Sequence, residues 1–137
     1  MALKVDWHGV YPAVPTQFHD DLSLDIPNTK KHVQDLLNEG IHGLVMLGTI
    51  GENCSLRLEE KVEVLKAIVE VAKGKVPILT GVSEYTTQGA CETVAVAKEV
   101  GVEGIMLMPA MVYKSDEREN MAHYRTVATS TDLPIMC

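Results

Sequence analysis

The sequence predicts an α/β fold, a parallel sheet covered by helices, and three observations carry that prediction. Gly40, Gly74 and Gly101 each close an apolar-striped segment, and a short apolar run follows each of them within a few residues. The resulting unit of strand, loop and helix is about thirty residues long, the size of a βα crossover, and its alternation sets parallel strands beside one another with helices outside. Hydrophobic residues make up 46% of the 137, enough for one core, so residues 1–137 read as a portion of one domain.

The elements follow in order. Gly9 to Phe18 reads as a first strand, with Pro12 and Pro15 placing it at an edge or bulge, because proline cannot donate to a ladder. His19-Asp20-Asp21 is a turn. Asp25 with Pro27 starts a helix, whose stripe is Val33, Leu36 and Leu37 and whose C-cap is Gly40. A second strand runs into Leu47. Ser55 is the expected N-cap of the next helix, with Leu58, Val62, Leu65, Val69 and Ala72 on one face. Val76 to Thr80 is the third strand, followed by a turn over Gly81 to Tyr85. Thr86 or Thr87 caps a third helix that turns Ala90, Val94 and Ala97 inward. Gly104 to Met108 is the fourth strand and Pro109 to Lys114 a loop. Ser115 is the expected cap of the fourth helix, favoured by Asp116 and Glu117 at the positive end of its dipole, with Met121, Tyr124 and Val127 as its inner stripe. Leu133-Pro134-Ile135-Met136 begins a fifth strand. A (β/α)8 barrel takes about 250 residues. This chain supplies strands 1 to 5, roughly half of one, with open sheet edges that invite pairing. A small doubly wound sheet is the alternative, disfavoured by a chain that stops within a strand.

A net charge of −7 argues against nucleic-acid and anionic-membrane binding. No apolar run approaches the roughly 20 residues that span a bilayer. Met1 to Asp6 lacks the apolar stretch of a signal peptide, so the expected location is cytoplasmic. Cys54, Cys91 and Cys137 are far apart and read as free thiols.

In parallel α/β folds the chemistry sits at the C-terminal strand ends. That rule selects Thr16–Asp20, Gly48–Asn53, Gly81–Tyr85 and Pro109–Lys114. The second is the most telling. Leu44-Val45-Met46-Leu47 stops at Gly48-Thr49-Ile50-Gly51-Glu52-Asn53, and a long amphipathic helix follows. Gly48 and Gly51 allow turns that a Cβ would hinder. Thr49 adds a hydroxyl, and backbone N–H groups there and at the next helix start can face an anion. Such a strand end suits a small carboxylate, with a plain βα turn as the alternative. It is not a P-loop, since no Gly-Lys-Ser/Thr follows.

Four stretches together resemble one family. They are Gly9-Val10-Tyr11-Pro12-Ala13-Val14-Pro15-Thr16, Leu47-Gly48-Thr49-Ile50-Gly51-Glu52, Val76-Pro77-Ile78-Leu79-Thr80-Gly81-Val82 and Asp132-Leu133-Pro134-Ile135-Met136. In order and spacing they are similar to the N-terminal half of the dihydrodipicolinate synthase and N-acetylneuraminate lyase family. The resemblance implies a (β/α)8 TIM barrel, of which this chain is about the first half. It also implies a lyase that forms a Schiff base between a sixth-strand lysine and a 2-keto acid, usually pyruvate, with no metal or organic cofactor. The protonated imine acts as the electron sink. The resemblance also implies a homo-oligomer, a dimer or tetramer, for the full-length protein.

By that resemblance Thr49 is the catalytic threonine that relays protons to a fifth-strand tyrosine. Gly48, Thr49 and Ile50 form the substrate-binding turn. Ile50 replaces a second threonine, so only its backbone N–H is left to hold the keto-acid carboxylate. The tyrosine and the Schiff-base lysine would fall after Cys137, so residues 1–137 alone are expected to be inactive. Of the lysines present, Lys30, Lys31, Lys61, Lys66, Lys73 and Lys98 fall on helices as solvated residues, and Lys114 in its strand-end loop is the one conceivable replacement. Met111 stands where dihydrodipicolinate-forming synthases carry a relay tyrosine, and Tyr113 reads as packing. Leu58, Lys61, Tyr85 and Gly89 occupy positions of the lysine-feedback site. These departures point to a dehydratase or deaminase branch acting on a sugar acid or a hydroxyproline-derived imino acid. A non-catalytic chain that associates through open sheet edges is the alternative outside enzymology.

His8, His19, His32, His42 and His123 have no metal-ligand spacing. Asp20 and Asp21 read as turn residues bonded to their own backbone. Glu52 is expected to bond N–H groups of its turn rather than act as a base. The seven methionines are core fillers.

Overall fold

A computed structural model describes residues 6–110 and 112–137. Among the described residues four α-helices and four strands alternate: α1 Ile26–Asn38, β1 Leu44–Met46, α2 Leu58–Ala72, β2 Ile78–Val82, α3 Thr87–Val100, β3 Gly104–Leu107, α4 Glu117–Thr129 and β4 Ile135–Met136. The sheet is parallel throughout, in the order β1-β2-β3-β4. Leu44 lies beside Ile78, Leu79 beside Gly104 and Ile105 beside Ile135. Each strand therefore pairs with the strand of the next βα unit, as in one arc of a (β/α)8 barrel.

The expected first strand is not a regular one. Residues 10–14 run alongside β1 and touch it through a single parallel bridge, Ala13 with Val45. The Val10 and Pro12 carbonyls accept from His42 and Val45, and the Val14 N–H donates back to Val45. Pro12 and Pro15 have no N–H to give, which limits this segment to intermittent pairing. β1, β3 and β4 are shorter than predicted at one end, because the residues flanking them bond singly rather than in a ladder, and β2 is shifted by two residues, so that Gly81 and Val82 of the expected turn belong to the strand. Pro77 still accepts from Leu44 and Pro134 from Ile105.

The helix punctuation is mostly as read. The Asp25 carboxylate accepts from Asn28 N–H at 3.0 Å, and the Asn28 backbone and amide hold it below the usual carboxylate range. Thr86 caps α3 by accepting from Gly89 N–H at 3.0 Å. Gly40, Gly74 and Gly101 take left-handed φ at the three helix ends. Two caps differ. Ser55 belongs to a short 3-10 turn, Asn53–Ser55, and α2 starts two residues later, from Arg57. Asp116 rather than Ser115 caps α4, exchanging bonds with Glu119 in a capping box, while the Ser115 hydroxyl turns to Asn120.

Two core clusters result. One packs Val14, Val33, Leu44, Met46, Val64, Ile68 and Ile78 among β1, β2, α1 and α2, and the other packs Val82, Val94, Ile105, Leu107 and Val127 beneath α3 and α4. Ala90, Val94 and Ala97 face inward as expected. The faces of α2 and α4 are rotated from the prediction. On α2 the buried set is Lys61, Val64, Leu65, Ala67, Ile68 and Ala72, and Leu58 is exposed. On α4 His123 and Val127 are buried and Met121 is exposed. At the other end of the sheet Trp7 packs so tightly on Gly104, the first residue of β3, that a Cβ there would lie 2.7 Å from its ring.

Candidate active site

The C-terminal end of β1 continues into a turn with an unusual backbone. Leu47 and Glu52 adopt left-handed φ of 50° and 63° and bracket Gly48 to Gly51. Gly51 and Asn53 both donate to the Gly48 carbonyl, and Glu52 donates to that of Thr49. Non-glycine residues occupy that region at a cost and hold it only when their surroundings fix them. The need for glycine is steric and lies at Gly51, where a Cβ would stand 2.8 Å from the Leu47 backbone. At Gly48 a Cβ would meet only the end of Met106, at 3.5 Å.

Two buried supports fix this turn. On one side the Thr16 hydroxyl donates to the Gly51 carbonyl at 2.7 Å. On the other the buried Asn53 amide donates to the carbonyls of Leu47 at 2.8 Å and Gly81 at 3.0 Å, joining the ends of β1 and β2. The strands approach so closely there that a Cβ on Gly81 would sit 2.1 Å from the Leu47 oxygen. Behind Asn53 is Lys61, whose ammonium donates to Asn53 Oδ1 at 3.2 Å and to Glu84 Oε1 at 2.8 Å. Thr93 on α3 donates to the same Glu84 oxygen at 3.0 Å.

What the turn presents outward is Thr49. Thr49 and Ile50 are exposed at its tip, Gly48 is buried, and the Ile50 side chain points to solvent with no polar group to offer. Among the described residues, the Thr49 hydroxyl and the N–H groups of Thr49 and Ile50 have no hydrogen-bond partner. Thr49 lines an open cleft of about 270 Å³ with Glu52, Asn53, Cys54, Ser55 and Ser83. One hydroxyl and two free backbone donors on a rigid turn can hold a small anion and pass a proton. The α2 dipole does not contribute as expected, because that helix begins only at Leu58, beyond the 3-10 turn.

Several expectations change here. Glu52 is exposed, and among the described residues its carboxylate bonds no N–H of the turn, because its own left-handed backbone carries the side chain outward. Lys61 is buried and ion-paired rather than solvated. Ser83 and Cys54 join the cleft, and the Cys54 thiol reaches the Ser83 carbonyl at 3.5 Å. Lys114 is exposed in its loop. Tyr113 donates to Glu119 at 3.2 Å, and that carboxylate raises its phenol above the ordinary value. Met111 lies outside the described residues. Tyr85 is exposed. Asp21 behaves as a turn residue, accepting from the N–H and hydroxyl of Ser23. Among the described residues, no three His, Cys, Asp or Glu side chains gather as metal ligands, and no helix is long and apolar enough to cross a membrane.

Residues 6–137 match the model of the dihydrodipicolinate synthetase family. The chain belongs to that family. A 4-hydroxy-tetrahydrodipicolinate synthase of Staphylococcus carnosus is 38% identical over 130 residues, 95% of this chain and 44% of its own length. An uncharacterized DapA-like lyase of Rhizobium meliloti is 35% identical over 136 residues, 99% of this chain and 45% of its own. Among solved structures, YagE, a family member from E. coli K12 in complex with pyruvate, superposes with a TM-score of 0.89 at 30% identity, over 93% of this chain and 43% of that one. The chain thus spans rather less than half the length of the relatives it matches, and its fold is about the first half of their TIM barrel. Family members carry both synthase and lyase names, so membership gives a lyase family and leaves the substrate to the site.

Proposed function

We propose that the full-length protein is a Schiff-base lyase acting on pyruvate or a related 2-keto acid, and that this chain supplies the turn that holds the substrate and relays its proton. The observation that carries the reading is the turn itself. Thr49 and the free N–H groups of Thr49 and Ile50 stand at a strand end, on a backbone fixed from both sides by Thr16 and Asn53. In the reaction a lysine amine from the second half of the barrel adds to the substrate ketone, one proton is taken up from solvent and water leaves, giving a protonated imine. Loss of a proton from the adjacent carbon then gives an enamine, with the imine nitrogen taking the electron pair. Thr49 relays that proton to a tyrosine of the second half, which passes its own hydroxyl proton on to solvent, and the backbone donors at Thr49 and Ile50 bind the carboxylate. The Thr49 hydroxyl has near-water acidity, so it works as a link in a relay and not as a base.

Substrate choice within the family favours a dehydratase or deaminase of a sugar acid or a hydroxyproline-derived imino acid. Its support is Met111, which has no proton to pass at the position of the synthase relay tyrosine. The protein works as a cytoplasmic homo-oligomer. The test is pyruvate with borohydride, read by intact mass spectrometry. The full-length protein takes up one adduct on a lysine of its second half, and residues 1–137 alone take up none. A stoichiometric adduct on the short chain, for instance on Lys114, overturns the reading, as does a full-length protein that never reacts.

A further inference from the structure

We infer that Lys61 and Glu84 are positioning residues: their buried ion pair fixes the Asn53 amide, and through it the turn that carries Thr49. The inference rests on the reading of Gly48–Glu52 as the substrate-facing turn. Lys61 is 6% exposed on a helix whose other lysine, Lys66, reaches solvent, and among the described residues it bonds Asn53 and Glu84 alone. A buried ammonium is costly unless paired, and a pair of this kind is weak evidence for stability. Its geometric consequence is definite. Lysine has donors and no acceptor, so the Asn53 oxygen must face Lys61 and its NH₂ must face the Leu47 and Gly81 carbonyls. An Asn53 released from Lys61 is free to rotate or flip its amide, and a flipped amide would set its oxygen against two carbonyl oxygens. The Leu47 carbonyl belongs to the left-handed residue at which the turn begins. Glu84 is held in turn by Thr93 and stands directly after Ser83 of the cleft. One chain of contacts therefore runs from α2 and α3, through the joined ends of β1 and β2, to Thr49.

The full-length protein tests this with Lys61→Met and with the double variant Lys61→Met, Glu84→Gln. The double variant removes both charges but keeps an acceptor for Thr93. Three readouts are taken: amide hydrogen exchange across residues 48–56, exchange of pyruvate methyl protons in D₂O, and borohydride trapping. In both variants the Gly51 and Asn53 amides should lose protection by about tenfold or more while core helix amides hold theirs. Methyl exchange should fall by about tenfold to a hundredfold, the scale of a displaced catalytic group, with the borohydride adduct retained. The double variant should recover thermal stability without recovering exchange. Unchanged loop protection overturns the inference, and so does methyl exchange that returns together with stability. A wild-type protein that forms no adduct removes the Schiff-base reading alone, and loop protection then decides the positioning role. If Lys61→Met fails to fold, the double variant carries both decisions.

Discussion

The loops that leave β1 and β3 occupy equivalent places at the C-terminal end of the sheet, yet they are built differently. The β1 turn is clamped by buried groups on both sides, Thr16 on one and Asn53 with Lys61 on the other. The β3 loop carries exposed Val112, Tyr113 and Lys114. Its anchors lie at its margins: His123 bonds the Met108 carbonyl and Thr87, and the Asp116–Glu119 box starts α4. Rigid placement suits groups common to every turnover, and a loosely held loop suits substrate choice, which tolerates side-chain change. Under the proposed function, this difference fits shared chemistry at the first loop and substrate choice at the second.

The largest expected effect breaks the clamped side at its tip. Thr49→Val in the full-length protein should lower pyruvate methyl exchange by about a hundredfold or more, the scale of a lost proton-transfer group, with little change in melting temperature. An unchanged exchange rate would move the relay elsewhere. Next comes Gly81→Ala, which places a Cβ against the Leu47 oxygen. Forced overpacking of backbone on backbone should cost about 3 kcal/mol, read from denaturant unfolding. Thr16→Val tests the opposite clamp. It leaves the buried Gly51 carbonyl without its donor, so about 1–3 kcal/mol of stability should go, and amide exchange in the turn should rise. The smallest effect belongs to the β3 loop. Tyr113→Phe removes an exposed bond to Glu119, and its stability should stay within about 0.5 kcal/mol of wild type. A larger loss there would show that the second loop is clamped too.

The sequence made some of this legible and concealed the rest for physical reasons. Helix ends were readable at Gly40, Gly74 and Gly101, because a left-handed end leaves a glycine, and at Asp25 and Thr86, because a cap needs a short oxygen. The turn is legible at Gly48–Asn53 because a strand that stops at two glycines is a local signal. Its supports carry no such local signal. Asn53 and Lys61 act through carbonyls and a carboxylate that are distant in sequence, and a lone lysine on a helix normally means solvent. One signal was available. Lys61, Val64, Leu65, Ile68 and Ala72 follow helical spacing, so the buried face of α2 leads back to the lysine. Starting that face at Leu58 turned it toward the wrong side. The Gly9–Phe18 segment shows apolar residues at Val10, Val14 and Phe18, but those residues do not reveal how far Pro12 and Pro15 limit its pairing, which comes down to the one Ala13–Val45 bridge.

The packing of Trp7 on Gly104 has a consequence for how the chain acquires its shape. Every strand pairing joins neighbours in sequence, so β1 to β4 can assemble one βα unit at a time as synthesis proceeds. The tryptophan contact cannot. It joins the start of the described chain to its third unit and closes a loop spanning most of the sequence, the kind of closure that slows folding. Trp7 is the chain's one tryptophan, so its fluorescence is a built-in clock for that late event. In stopped-flow refolding of the full-length protein with any other tryptophans replaced, the emission change should lag behind the helical circular dichroism signal.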